Sequence, residues 1–265
     1  MAWDKAKVFG YYPDDALWNG APWALVTSTF AHIEIIHLLF NVMWLWTLGN
    51  AFENRYGFWR FALFFLGAAW VSSALQLLVS GQTGIGMSGV GYALFGFGWI
   101  ARRRNPEFAA ILQPQTVAIF LIWLVGCIVA TELGLANIGN GAHVAGLLFG
   151  AAVAGAWVEK WRLPLSVAGL IALCVVSLTP IVWCPTSVAW LGTQATRATD
   201  RNDPSAALGF YRQLLARDPG ATWALHNMAL IYAEQGDRKN FDATLKLLRA
   251  RDESAARELE GAFGE

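Results

Sequence analysis

The chain has 265 residues, a formal net charge of zero and 56% hydrophobic residues. Only 14% are Asp, Glu, Lys or Arg, against about 25% in ordinary soluble domains. The zero net charge gives no support for nucleic-acid binding, and the three cysteines have neither metal-ligand nor redox spacing. More than half of the charged side chains lie in residues 197–265. We therefore predict a membrane body followed by a small soluble domain.

Long apolar runs predict the membrane body, because a spanning helix needs about 20 mainly apolar residues. Six candidate spans appear, at residues 35–52, 58–79, 88–101, 117–132, 142–158 and 164–183. The third, fourth and fifth are short, so other helices must surround them or they must start below the membrane surface. The predicted fold class is an all-α polytopic membrane helical bundle with about six spans and a small helical-repeat domain.

The apolar runs and the charge distribution divide the chain into five segments. They are an outward-facing N-terminal loop segment (1–34), a membrane core (35–162), an additional C-terminal transmembrane helix (163–185), a linker (186–202) and a helical-repeat domain (203–265). Residues 1–22 contain no apolar core segment, so no signal peptide is expected.

Basic residues predict the orientation in the membrane, because cytoplasmic loops carry the excess of Lys and Arg. They follow the first span (Arg55, Arg60), the third (Arg102, Arg103, Arg104) and the fifth (Lys160, Arg162). Alternate loops therefore face the cytoplasm. The N-terminal segment, the other loops and the C-terminal domain are then expected outside it, with the spans in a bacterial plasma membrane.

Ser88 stands in a Gly86-Met87-Ser88-Gly89 turn inside a stretch without charges from Phe61 to Ala101. Glycines beside a serine allow a tight turn that leaves the hydroxyl and nearby N–H groups accessible. The alternative is that Gly86 and Gly89 serve only close helix packing.

His143 lies in a second uncharged run. Gly146 and Gly150 follow at i+3 and i+7, on the same helix face, where they let another helix approach closely. We expect that helix to carry Ser88, so that hydroxyl and imidazole meet as nucleophile and base. No acidic residue lies near His143 in the sequence, so we predict a dyad, with Tyr92 stacked on the imidazole. The alternatives are a satisfied core histidine or a proton relay.

His37 and Asn41 share one face of the first span at i, i+4, and both can donate side-chain hydrogen bonds. Fixed donors stabilise the oxyanion of acyl transfer. The alternative is a metal site with His32 and Glu34, but the spacing of the two histidines suits one helix face poorly. We predict no metal and no cofactor. Glu53, between Gly49 and Gly57, is interpreted as a structural residue that ties neighbouring loop backbone together.

These residues, in this order, resemble the rhomboid family of intramembrane serine proteases. The match covers about Trp23 to Trp161 and includes His32, His37, Asn41, Gly49-Glu53-Gly57, Gly86-x-Ser88-Gly89 with Tyr92, and His143-x2-Gly146-x3-Gly150.

The resemblance implies a helical bundle with a water-filled cavity open to the outside. Ser88 would be the nucleophile, His143 the base, and His37, Asn41 and the Ser88 N–H the oxyanion site, while His32 would help hold water and polar contacts. Substrates would be single-span membrane proteins in the lipid bilayer, cut near or within the membrane after a small residue.

Two departures from the family pattern leave a second hypothesis open. No apolar helix precedes the loop that contains Trp23, so the first family helix is expected to be absent, either because the start of the reading frame is missing or because the bundle is reduced. Ala24 stands where the family usually has Arg. The alternative function is a catalytically impaired rhomboid-like scaffold that binds membrane clients while its repeat domain recruits another protein. A transporter or channel is disfavoured, because paired intramembrane charges and broken-helix repeats are missing.

The last 65 residues show helical periodicity over Asp203–Pro219 and Ala221–Ala250. Trp223, Leu225, Met228 and Tyr232, followed by Gly236-Asp237, resemble a tetratricopeptide repeat. One and a half to two units are fewer than a free solenoid needs. We expect this domain to pack on a protein partner, on a second copy or on the membrane body; the alternative is an inert helical tail.

Overall fold

The computed structural model describes residues 14–159 and 163–263, and all of the regular structure in these ranges is helical. The chain divides into two compact units, residues 1–186 and 187–265. The predicted cytoplasmic residues Lys160 and Arg162, and the first thirteen residues of the predicted N-terminal segment, lie outside the described ranges.

The first unit begins with short helical turns, at Asp14–Leu17, Ala24–Thr27 (α1) and Ser28–Phe30. The longer helices that follow are α2 (Ile35–Tyr56), α3 (Phe58–Ser80), α4 (Ser88–Ala101), α5 (Pro106–Ile111), α6 (Pro114–Glu132), α7 (Asn140–Trp157) and α8 (Leu163–Val182). Among the described residues, α2, α3, α6 and α8 are each long and apolar enough to cross a membrane. The chain is thus an integral membrane protein with several spans.

The predicted fourth span is longer than its apolar run. Helix α6 begins at Pro114 and has 19 residues, whereas the sequence placed its start at Val117. Proline suits the first turn of a helix, because its fixed φ is helical and its missing N–H has no partner there anyway. The polar residues before Val117 therefore belong to the helix, which brings it to spanning length.

Helix α4 is the shortest of the apolar helices, at 14 residues. At 1.5 Å per residue it is about 21 Å long, less than the roughly 30 Å hydrocarbon core. It packs against α2, α3 and α7, and its most extensive contact is with α7. Most of its side chains are buried, including Phe95 and Phe97. The residue that opens this helix therefore lies within the bundle.

The N-terminal turns are held to the bundle by apolar burial and one long-range hydrogen bond. Leu25 is fully buried and Trp18 nearly so. The Trp18 indole N–H donates to the carbonyl of Pro180 in α8 over 2.8 Å. At the position where the rhomboid pattern has arginine, Ala24 is buried as well. Side-chain packing thus holds this segment in place.

The second unit contains five helices within its described residues, α9 (Val188–Asp200), α10 (Pro204–Arg217), α11 (Thr222–Glu234), α12 (Arg238–Arg249) and α13 (Glu253–Phe263). The expected linker at 186–202 needs correction, since most of it is helix α9. Trp190, Leu191 and Ala195 are buried along this helix, which packs against α10.

The periodic segment Ala221–Ala250 is two helices and not one. They are separated at Gly236, whose φ of +69° is a left-handed conformation that favours glycine. Asp237 follows as the N-cap of α12 and accepts a hydrogen bond from the Asn240 N–H. The glycine ends one helix and the aspartate starts the next.

Candidate active site

Ser88 and His143 meet inside the first unit. The distance from Ser88 Oγ to His143 Nε2 is 2.9 Å, which is hydrogen-bonding range. Ser88 is the first residue of α4 and His143 lies in the first turn of α7. His143 is 5% exposed, while Ser88 is half-buried. The two side chains that the sequence placed on neighbouring helices are in direct contact.

Glycines between α4 and α7 make the contact between Ser88 and His143 possible. A Cβ on Gly146 would overlap the carbonyl oxygen of Gly89, and one on Gly150 would overlap that of Ala93. From the opposite side, a Cβ on Gly96 would overlap the carbonyl oxygen of Leu147. Helices α4 and α7 therefore touch backbone to backbone along this seam, which brings the side chains of their first turns within reach of each other.

The imidazole of His143 is oriented by an aromatic ring. Its centroid lies 4.7 Å from that of Tyr92, with 32° between the planes, and the Tyr92 hydroxyl donates to the Phe120 carbonyl over 3.2 Å. Nδ1 of His143 is buried without a hydrogen-bond partner among the described residues. No carboxylate in the described ranges therefore holds this ring, and its orientation comes from packing.

Gly86 brings the turn before Ser88 against α2. Its φ is +98°, and a Cβ there would lie 2.6 Å from Cε1 of His37 and 3.3 Å from Cδ2 of His32. Glycine is needed both for the backbone conformation and for the space. Gly89 is crowded as well, since its Cβ would lie 2.6 Å from Ser72 Oγ.

His32 connects the turn to Asn41. Its Nε2 lies 2.9 Å from Asn41 Nδ2 and 3.4 Å from the Met87 backbone nitrogen, and its Nδ1 lies 3.2 Å from the Phe30 carbonyl oxygen. A carbonyl only accepts, so Nδ1 carries the proton and Nε2 accepts from Asn41 and Met87. The family resemblance implied that His32 helps to hold water and polar contacts; in the structure it orients the Asn41 amide.

His37 lies beside the turn that leads to Ser88, and Asn41 is joined to that turn through His32. An amide Nδ2 has two N–H donors, and the contact with His32 uses only one of them. The Ser88 N–H belongs to the first turn of α4, where N–H groups have no acceptor within the helix. His37 Nε2 would lie 3.2 Å from a Cβ on Gly86. Two potential hydrogen-bond donors, the Ser88 N–H and His37, thus lie at this turn, and Asn41 lies next to it through its contact with His32.

Glu53 lies far from these groups. Sixteen residues of one helix separate it from His37, about 24 Å. Its backbone carbonyl accepts from the Gly57 N–H over 2.7 Å, while its carboxylate has no hydrogen bond or ion pair to any residue that the structure describes. The side chain lines a shallow crevice with Asn50 and Trp46. The expected side-chain tie to loop backbone is therefore not formed within the described ranges.

Two residues that the sequence analysis did not select fix the start of α7. Gln76 in α3 accepts the Ala142 N–H with Oε1 over 3.1 Å. Asn140 donates to Thr131 Oγ1 over 2.8 Å and to the Cys127 carbonyl. Gln76 is 8% exposed, and an amide buried in an apolar run is costly without a partner. A single polar residue within an apolar run was therefore the sequence feature that could have identified Gln76.

Comparison with known proteins places the same region in one family. A family model described as "Rhomboid domain" matches residues 19–160. The protein named "Rhomboid protease GlpG" from Salmonella choleraesuis (strain SC-B67) is 35% identical over 144 residues, 54% of this chain and 51% of its own. Its namesake from Enterobacter sp. (strain 638) is 37% identical over 132 residues, 50% of this chain and 47% of its own. The chain spans about half the length of these curated relatives.

Proposed function

Because the chain belongs to the rhomboid family, we propose that it is an intramembrane serine endopeptidase with a Ser88–His143 dyad. The observation that carries this proposal is the 2.9 Å contact between Ser88 Oγ and His143 Nε2. A hydroxyl and an imidazole within hydrogen-bond reach are the signature of a nucleophile paired with its base. The proteins similar to this chain are named as proteases, which supports the same chemistry.

The first half of the reaction forms an acyl-enzyme. Ser88 Oγ attacks the carbonyl carbon of the scissile peptide bond while its proton moves to His143 Nε2. The tetrahedral intermediate carries its negative charge on the former carbonyl oxygen, beside the Ser88 N–H, Asn41 Nδ2 and His37. When the intermediate collapses, the carbon–nitrogen bond breaks and the imidazolium gives its proton to the leaving amine.

The second half regenerates the serine. Water attacks the acyl carbon, His143 takes the water proton, and collapse of the second intermediate returns that proton to Ser88 Oγ. The half-buried position of Ser88 allows water to approach from the turn side. Tyr92 holds the imidazole in place through both halves, since no carboxylate among the described residues contacts its Nδ1.

The substrates we propose are single-span membrane proteins cut near or within the bilayer. The dyad lies inside a bundle whose outer surface is apolar, with Ile35, Ile36 and Leu39 exposed on the first turns of α2. A transmembrane segment can approach such a surface without leaving the hydrocarbon. We also propose that the arginine-rich ends of the bundle face the cytoplasm of a bacterial cell, so that the dyad opens to the opposite side.

The C-terminal unit is proposed to be a tetratricopeptide-like domain for a protein partner, beginning at α9. Asn202 and Gly236 both have positive φ and are 34 residues apart, the period of that repeat. Asp203 and Asp237 follow them as N-caps of α10 and α12. Two full units and the terminal helix α13 would then fill residues 188–263.

The decisive experiment reconstitutes the full chain in liposomes with a single-span substrate. Wild type is expected to cleave it, Ser88→Ala and His143→Ala to fall to background, and Ser205→Ala, at an exposed serine of the other unit, to match wild type. A fluorophosphonate probe should label the protein only when Ser88 and His143 are both present. Equal cleavage by wild type and Ser88→Ala would overturn the protease, and a folded wild type that neither cleaves nor labels would indicate the scaffold.

A further inference from the structure

A crevice of about 290 Å³ opens on the surface of the first unit between α3 and α7. It is lined by Arg60, Leu63, Phe64, Phe149, Val153 and Trp157. Trp157 lies 14 residues after His143 on the same helix, about 21 Å along its axis. The Arg60 and Trp157 end of the crevice is thus far from the dyad, and none of its lining residues takes part in the reaction proposed above.

Arg60 supplies an available cation at one end of the crevice. Its Nη1 donates to the Tyr56 carbonyl over 3.1 Å, and its Cζ lies 5.8 Å from the centroid of the Trp157 ring. No described carboxylate lies within ion-pair distance. A guanidinium has five N–H donors, so most of those on Arg60 remain for an external acceptor. Its planar fork can bind the oxygens of a phosphate or a carboxylate bidentately.

The rest of the crevice is apolar. Phe64 and Phe149 form its floor, with ring centroids 5.6 Å apart, and Phe149 reaches so close to α3 that a Cβ on Gly67 would lie 3.0 Å from it. Leu63 is 71% exposed at the rim. From Arg60 to Gly67 the helix rises by about 10 Å. The Arg60 guanidinium therefore lies at one end of the crevice, and the rest of the crevice, here called the trough, is apolar and follows the helix axis.

We propose that this crevice binds one anionic phospholipid, with the phosphate on Arg60 and an acyl chain between α3 and α7. A phosphate bonded to a hydrocarbon chain matches a cation above an apolar trough. The same end of the bundle carries Arg55 and Arg102–Arg104, and positive membrane-facing ends attract the anionic lipids of the cytoplasmic leaflet. The bound lipid fills the space between α3 and α7, the helices that carry Gln76 and His143.

The test measures lipid retention by the intact, detergent-solubilised protein with native mass spectrometry. Phosphatidylglycerol is titrated against wild type, Arg60→Gln, Val153→Trp and Arg103→Gln. Arg103 is an exposed arginine outside the crevice, so its variant changes the net charge equally. One contact near a membrane surface is worth about 1 kcal/mol, so Arg60→Gln is expected to weaken the one-lipid complex about fivefold. Val153→Trp fills the trough and should abolish it, while Arg103→Gln should bind like wild type.

Further probes separate the phosphate from the lipid. Phosphatidylcholine with the same chains should bind several-fold more weakly, and glycerol phosphate, which lacks acyl chains, should not compete. If Val153→Trp does not elute as a folded protein, Leu63→Ala replaces it, with an expected loss of roughly twofold or more. Equal retention of phosphatidylglycerol by Arg60→Gln and Arg103→Gln would overturn the proposal. Full competition by glycerol phosphate would also overturn it, as would unchanged lipid binding by folded Val153→Trp or by Leu63→Ala.

Discussion

The carbonyl oxygen of Gly89 occupies the place where the side chain of any larger residue at Gly146 would begin. These two glycines belong to different helices, α4 and α7, and lie one and three residues beyond Ser88 and His143. The separation of the helices at this point therefore sets the separation of hydroxyl and imidazole. The same crossing recurs one helical turn further on, where Gly150 meets the carbonyl of Ala93.

Gly146→Ala is expected to push α4 and α7 apart. Overpacking of this kind costs about 1–3 kcal/mol of stability, and a displacement of 1 Å at reacting groups can cost about 10²-fold in rate. Cleavage by the reconstituted protein and its thermal unfolding measure the two effects. The control is Gly91→Ala in α4, the other helix of the seam, where a Cβ meets nothing within 4 Å. Comparable activity in the two variants would show that the seam does not position the dyad.

Tyr92→Leu should reduce kcat with little change in KM, because the ring stacks on His143 and not on substrate. Aromatic pairs contribute about 0.5–1.5 kcal/mol beyond burial, so the expected loss is roughly three- to tenfold. Tyr92→Phe keeps the ring and loses only the hydrogen bond to the Phe120 carbonyl. It is expected to retain more activity than the leucine variant. The reverse order would assign the effect to the hydroxyl instead of the ring.

Asn41→Ala should lower kcat by about 10²- to 10³-fold, the usual effect of removing one oxyanion donor. His32→Ala should lower it less, since His32 acts by orienting the Asn41 amide over 2.9 Å. A double-mutant cycle tests this relationship. If His32 works through Asn41, the double variant loses less than the product of the two single effects. If the kcat of the double variant instead falls by the product of the two single effects, His32 has a separate role in catalysis.

Acid should weaken the start of α12 in the C-terminal unit. Hydrogen bonds from the Asn240 side chain and N–H hold the pKa of the Asp237 carboxyl below its ordinary value. A carboxyl with a lowered folded-state pKa stabilises the fold above its unfolded pKa, near 4, and loses that contribution as the pH falls through the folded pKa.

Asp237→Asn retains a capping side chain but does not titrate. Hydrogen exchange of residues 238–249 in the full chain, compared between the two proteins at pH 6 and pH 3, measures the difference. The protection of wild type relative to the variant is expected to fall at the lower pH. A constant ratio would show that the carboxylate does not stabilise this helix start.

The spacing of residues along the chain predicted several helices, and it predicted the face of α7 that contacts α4. Gly146 and Gly150 stand at i+3 and i+7 from His143, so any helix through them presents all three together. The run without charges around Ser88 predicted an apolar helix that begins at the serine, as the structure has it. These inferences succeeded because the period of a helix relates residues that are close in the chain.

Hydropathy and helical periodicity were enough to predict the membrane character, the helical class and the residue types capable of acyl-transfer chemistry, because both are local properties of the chain. Three features became visible only in the folded chain: Gln76 caps α7 across 66 residues, His32 orients Asn41, and residues 188–200 form a helix with a buried face. These features depend on which surfaces the folded chain brings together, and the burial that stabilises them exists only after the helices have packed.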